Sequence, residues 1–203
     1  MKLQFKIQKY QTDAVDSVIE VFNGQPNQDS LEYKVDKGCA YLARKASELE
    51  FSDDEDDTGY KNADVVLSEE ELLKNIHRIQ ASENIRQSSD LVKKLGHCQL
   101  DVEMETGTGK TYVYIKTMFE MNKKFGWTKF IVVVPSVAIR EGVKKSFDIT
   151  VDHFMELYGK KARYFIYNSD NLNQIDIFSQ SADISVMIIN TQAFNSSLKE
   201  GAS

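Results

Sequence analysis

Apolar residues along this chain recur first at helical spacing and then in short runs, and the change comes near residue 98. Ala14, Val15, Val18, Ile19 and Phe22 repeat at three- and four-residue intervals. Residues 5–23 therefore predict a short apolar–polar lead and one amphipathic helix, stopped by Gly24 and Pro26. Ser68-Glu69-Glu70-Glu71 has the form of a capping box. Leu72, Leu73, Ile76 and Ile79 then mark the apolar face of a helix. A second short helix is expected up to Leu95, closed by Gly96. Cys98–Met104 alternates, with Leu100, Val102 and Met104 on one face, which predicts a strand. Thr111–Phe125 reads as a helix ended by Gly126. Phe130–Val134 is an unbroken apolar run, as expected of a strand buried on both faces. A helix follows from Ser136 to about Tyr158, then strands at Tyr164–Tyr167 and Val186–Ile189. Strands alternating with helices predict an α/β fold whose parallel sheet is covered on both sides.

Residues 24–66 break this rhythm. Asn, Gln, Asp and Ser dominate their start, a helical patch fits Ala40–Leu49, and Ser52–Gly59 is a run of carboxylates. A calcium loop needs D-x-[DN]-x-[DN]-G-x5-E, and here Thr58 holds the third ligand position and Val65 the last. The stretch is therefore expected to be a solvated acidic insertion, disordered in part. The chain divides into a leading helix (1–23), the insertion (24–66) and an αβ core (67–203).

Composition narrows the class. Of the 203 residues, 41% are hydrophobic, which suits a globular chain. No apolar run approaches the roughly 18 residues that span a bilayer. The alternating N-terminus lacks a signal-peptide core, so a cytoplasmic protein is expected. Cys39 and Cys98 stand alone, and His77, His97 and His153 show no ligand spacing, which argues against a disulfide framework or a zinc site. The net charge of −6 is uneven: residues 1–90 carry 11 basic and 19 acidic side chains, and residues 91–203 carry 14 and 12. The acidity thus belongs to one local run and says little about partners of the rest.

The decisive segment is Glu103-Met104-Glu105-Thr106-Gly107-Thr108-Gly109-Lys110-Thr111, between a strand pattern and a helix pattern. A triphosphate needs several donors converging on its oxygens. Gly107 and Gly109 let the backbone curl so that successive N–H groups point inward. The helix beginning there adds its positive end. Lys110 supplies an ammonium for the β- and γ-phosphates, and Thr111 a hydroxyl for the Mg²⁺ that accompanies ATP. The loop Thr106, Gly107, Thr108, Gly109, Lys110 and Thr111 is thus the candidate ATP site, with Lys110 and Thr111 as its catalytic members. Met104 stands where the fullest form of this loop has a glycine.

Thr106–Thr111 resembles the loop of the superfamily 2 helicases and translocases, and further segments are similar to that group. Tyr10-Gln11-Thr12-Asp13-Ala14 resembles its Y-Q-x-x-A segment, which implies that Gln11 reads adenine through its amide, with Tyr10 packed beside it. Pro135-Ser136-Val137-Ala138-Ile139-Arg140 stands where the group carries a DNA-contacting segment. Ser136 and Arg140 are therefore candidate phosphate contacts. Ile189-Asn190-Thr191 resembles a second such segment, with Thr191 as the candidate contact to the DNA backbone.

A closer resemblance covers Gln4–Phe22 and about Leu67–Asn195. Met104–Tyr114, Trp127–Ser146 and the Glu71–Gln80 helix are similar to the Res subunit of type III restriction-modification enzymes. The resemblance implies a P-loop NTPase (RecA-like) first motor domain. It further implies an ATP- and Mg²⁺-dependent translocase of double-stranded DNA with an attached nuclease, working with a Mod methyltransferase. A carboxylate pair ending a buried strand, expected of such a motor, is not found, because the last apolar run ends in Asn190. The chain is therefore expected to be an N-terminal part of the motor, inactive alone and truncated before the Walker B strand. Two other readings stay open: another superfamily 2 motor, and a non-enzymatic interaction module that uses the same fold.

Overall fold

A computed structural model describes residues 5–34, 58–94, 96, 98–168 and 173–192. In chain order its elements are helix α1 (Lys9–Val21), strands β1 (Leu31–Lys34) and β2 (Thr58–Lys61), helices α2 (Glu69–Ser82) and α3 (Lys110–Phe125), strand β3 (Lys129–Val134), helix α4 (Val137–Tyr158), strand β4 (Arg163–Ile166), helix α5 (Asn173–Gln180) and strand β5 (Ser185–Asn190).

The local signals set most of these boundaries. The Ser68 hydroxyl accepts from the Glu71 amide at 3.3 Å, and the Glu71 carboxylate accepts from the Ser68 amide at 2.8 Å. The box thus satisfies two amides that would otherwise lack partners. The helix stops where Asn84 turns left-handed (φ 56°) and the Asn84 and Ile85 amides reach back to the carbonyls of Ala81 and Gln80. That closure replaces the expected second helix: residues 85–94 form no helix, and the Gln80 amide and His77 ring hold Ser88 instead. The Ser136 hydroxyl opens α4 by accepting from the Ile139 amide, and Gly159 closes it at φ 66°.

Strands β3, β5 and β4 form a parallel sheet in that order, so the last strand inserts between the two earlier ones. Both strand pairings follow βα units, as expected from the alternation of elements. α3 and α4 cover one face of the sheet. Their Ile115, Met118, Phe119, Val143, Phe147 and Phe154 bury Val134, Val186 and Ile188. Central β5 is buried along its length, whereas β3 leaves Ile131 53% and Val133 46% exposed. The prediction that Phe130–Val134 is buried on both faces is thus corrected. β3 borders the sheet among the described residues, and no described helix covers that half of its second face.

A second core joins α1, α2 and α3 through Val15, Ile19, Phe22, Leu72, Val113, Phe125 and Trp127. Phe130 touches both cores. Cys98, Leu100 and Met104 pack onto this second core, but Val102 is 47% exposed and residues 98–105 join neither sheet. The predicted strand is therefore absent. Alternation supplies a face, but a strand also needs a hydrogen-bonded neighbour, and no described strand lies beside this segment.

The flanks of the expected insertion are built into the fold. β1 and β2 pair antiparallel, and three polar side chains fasten them to the core. Asn62 binds the Thr128 amide and both backbone groups of Lys129, Gln25 bridges Asp64 and Val66, and Asn27 binds the Lys123 carbonyl. The carboxylates Asp53–Asp57 and the patch Ala40–Leu49 lie outside the described residues.

Candidate functional site

α3 opens differently from α2 and α4, whose starts are capped by Ser68 and Ser136. Its first position follows Gly109, which is left-handed at φ 84°, and no side chain caps it. The amides of the first turn have no carbonyl one turn back, so they face outward as free donors. Gly107 adopts the same φ, and nothing lies within 4 Å of where its side chain would be. The pair of left-handed glycines curls the loop around an open mouth. Any other residue there would pay in backbone strain.

Side chains finish the mouth. The Thr108 hydroxyl and the Lys110 ammonium both donate to the Glu105 carbonyl, at 2.6 and 2.8 Å. The exposed Lys110 thus folds back across the loop instead of pointing away from it. Met104, at the position where a glycine is commonest, packs on the second core and anchors the entry to the loop.

The Gln11 amide donates to the Thr108 carbonyl at 2.8 Å, across 97 residues of sequence. A side chain at Gly109 would meet that same amide at 2.6 Å. Thus α1 is seated against the loop by the residue singled out for adenine. Tyr10, expected to pack beside Gln11, is instead 49% exposed. Lys116, which the sequence did not single out, is buried on α3 and donates to the Thr12 hydroxyl at 3.1 Å. A lysine facing the helix that carries Gln11 is legible only once α1 and α3 are packed together.

The first turn of α3 is also braced from behind. The Tyr112 hydroxyl lies 2.9 Å from His153 Nε2, and its ring stacks on Phe154 at 5.4 Å. Burial lowers the His153 pKa, favouring the neutral ring that can accept this hydrogen bond. His153 therefore has a structural role.

Ser136, Arg140 and Thr191 are brought together at the C-terminal ends of β3 and β5, where Val134 lies in register with Asn190. The Thr191 hydroxyl reaches the Pro135 carbonyl at 3.4 Å, and Arg140 reaches Asn190 at 3.4 Å and Glu141 at 3.2 Å. The Ser136 hydroxyl is engaged in capping α4. Asn190, buried at the end of the central strand, is the member of this cluster that the motif reading passed over. Among the described residues, no group of three or more His, Cys, Asp or Glu is placed to hold a metal ion.

The family described as type III restriction enzyme, res subunit, matches residues 4–203. The chain is 40% identical over 110 residues to the Res subunit of the type III restriction-modification enzyme EcoP15I from Escherichia coli. It is 35% identical over 113 residues to the EcoPI Res subunit of Escherichia phage P1. Each alignment covers 53% of this chain and 11% of the relative, so the matched part is a small share of those proteins. The StyLTI Res subunit of Salmonella typhimurium is 49% identical over 61 residues, which is 29% of this chain and 6% of that protein.

Proposed function

The chain belongs to the type III restriction enzyme Res-subunit family, and from that premise we propose that it is the ATP-gripping part of a DNA-translocating motor. The observation that carries this reading is the junction of Gln11 with the 106–111 loop, beside an uncapped helix start and a lysine folded over the mouth. In this reading the fold is that of a P-loop NTPase. The amides of the first turn of α3 donate to the phosphates, and Lys110 exchanges the Glu105 carbonyl for phosphate oxygens. The free side of the Gln11 amide faces adenine. Thr111 holds Mg²⁺ through its hydroxyl, and that ion neutralises charge on the phosphates.

The double-stranded DNA contacts fall to Ser136, Arg140 and Thr191. All three first have to exchange internal partners, because Arg140 is engaged by Glu141 and Asn190, Ser136 by its own helix, and Thr191 by the Pro135 carbonyl. The Mod methyltransferase partner, the nuclease function and the cytoplasmic setting follow from the family and belong to the whole protein. No described helix is long and apolar enough to cross a membrane.

Titration with a fluorescent ATP analogue and Mg²⁺ tests the reading. Lys110→Ala is expected to weaken binding at least about tenfold, in line with about 1.5–3 kcal/mol for hydrogen bonds to charged groups. Equal binding by both proteins would favour the interaction-module reading instead.

A further inference from the structure

A groove of about 690 Å³ runs between α1, α2 and the irregular segment from residue 85 to the loop. Its floor is apolar, with Val18, Ile76, Ile79 and Leu91 among the lining residues. Ile85, Val92 and Val102, on its wall, are 56%, 47% and 47% exposed. Apolar side chains that stand in water along a concave surface mark a place where another apolar surface can be buried.

The charged side chains that line this floor are all acidic, and one lysine, Lys9, stands at its rim. Asp13, Glu83, Asp90, Asp101, Glu103 and Glu105 line the groove, and no described Lys, Arg or His does. Asp13 is paired with Lys9 at 2.8 Å, and the other five carboxylates have no ion pair among the described residues. Such a rim disfavours a polyanion laid along it, so DNA and anionic membranes are poor occupants, whereas a triphosphate at the 106–111 loop is met by Lys110, which does not line the groove. It complements positive charge carried beside an apolar stripe.

We propose that this groove docks a cationic amphipathic helix of a partner protein. The helix would lie with its apolar face between α1 and α2 and its Lys or Arg side chains over the carboxylates. Two turns of helix form a cylinder about 10 Å across and about 11 Å long, comparable in size to the groove. Apolar anchors at i, i+3, i+4 and i+7 are the form in which one helix reads such a groove. This site goes beyond the ATP reading, because it takes a protein helix and needs no nucleotide.

The test uses a labelled peptide of leucine and lysine, about 14 residues long, with leucines at helical spacing. Its binding to the full chain is read by fluorescence anisotropy. The wild type is expected to bind this peptide in a salt-sensitive way and to ignore a leucine–glutamate peptide of the same pattern. The double variant Glu83→Lys/Asp90→Lys should weaken binding at least about tenfold. Val92→Ser, which alters the apolar wall and no charge, should also weaken it about tenfold. Asp29→Lys/Glu32→Lys, which reverses as many charges outside the groove, should leave affinity within about twofold. Circular dichroism checks that each variant is folded. Three outcomes would overturn the proposal: no binding by the wild type, equal weakening by the two double variants, or no effect of Val92→Ser. Displacement of the peptide by the magnesium-bound ATP analogue would assign the groove to the nucleotide and overturn it as well. Failure of ATP binding with peptide binding intact would count against the nucleotide reading alone.

Discussion

The two ends of α3 carry left-handed glycines with nearly the same φ, 84° at Gly109 and 78° at Gly126, yet they are finished in opposite ways. At the C-terminal end the carbonyls of Asn122, Lys123 and Phe125 are all used. Gly126 donates to Asn122, Asn27 binds Lys123, and the Gln28 amide reaches Phe125. A side chain at Gly126 would meet the Gln28 carbonyl oxygen at 2.1 Å. At the N-terminal end no side chain caps the helix, a side chain at Gly109 would meet the tip of the Gln11 side chain at 2.6 Å and not backbone, neighbouring Gly107 borders open space, and the charged residue of the turn is exposed. One glycine lets the chain fold tightly; the other keeps donors available. The contrast teaches that backbone conformation alone does not separate a structural glycine from a binding one. What surrounds the missing side chain does.

Substitutions can break this contrast, beginning with the most damaging. Gly126→Ala places a side chain in a left-handed conformation and against backbone. Urea unfolding is expected to show a loss of at least about 3 kcal/mol, with the affinity of the folded fraction for the ATP analogue unchanged. A well-tolerated Gly126→Ala would mean that the two ends are alike. Lys110→Ala should do the reverse, leaving unfolding free energy within about 0.5 kcal/mol of the wild type while analogue binding falls. A large loss of stability there would make Lys110 a fold residue.

Ser68→Ala sharpens the comparison from a third helix end. It removes a cap that is fully formed, and should cost about 1 kcal/mol in thermal or urea unfolding with no effect on the analogue. The smallest effect is one of pH. The Lys129 ammonium donates to the carbonyls of Phe178 and Ser181, near the end of α5, while burial pushes its pKa down to about 8, against an ordinary 10.5. Between these values the unfolded chain holds a proton that the folded chain has lost, so folding gains stability as pH rises through that window. Relative to Lys129→Met, the wild type should therefore become more stable between about pH 7 and about pH 10. An unchanged difference would show that the half-buried lysine keeps its proton.

Much of this architecture was legible in the residues. The capping box at Ser68, the helix stop at Gly126, the Ser136 start of α4 and the parallel strands all follow from signals within a few positions. The misreadings share a cause. The Phe130–Val134 run was expected to be covered twice, but an apolar run does not state its place in the sheet, and β3 lies at a border among the described residues. The alternation at 98–104 predicted a strand, but pairing depends on a neighbour that periodicity cannot supply. The helix expected after Asn84 lost to a local closure made by one left-handed residue. The polar residues flanking the insertion looked like loop, although Asn62 and Gln25 are among the best-bonded side chains of the fold.

By itself the sequence determined the 106–111 loop, since two glycines, a lysine and a helix start are bound together by neighbouring residues. It likewise determined the family that the loop and its surroundings belong to. Only the tertiary structure decided that Gln11 meets Thr108 across 97 residues, that Lys116 faces Thr12, and that Asn190 lies against Arg140. The reason is one of range. Caps, turns and periodic faces are set by backbone contacts one turn away, whereas those meetings exist only after α1 has buried Val15 and Ile19 beside α3, and β5 has slipped between β3 and β4.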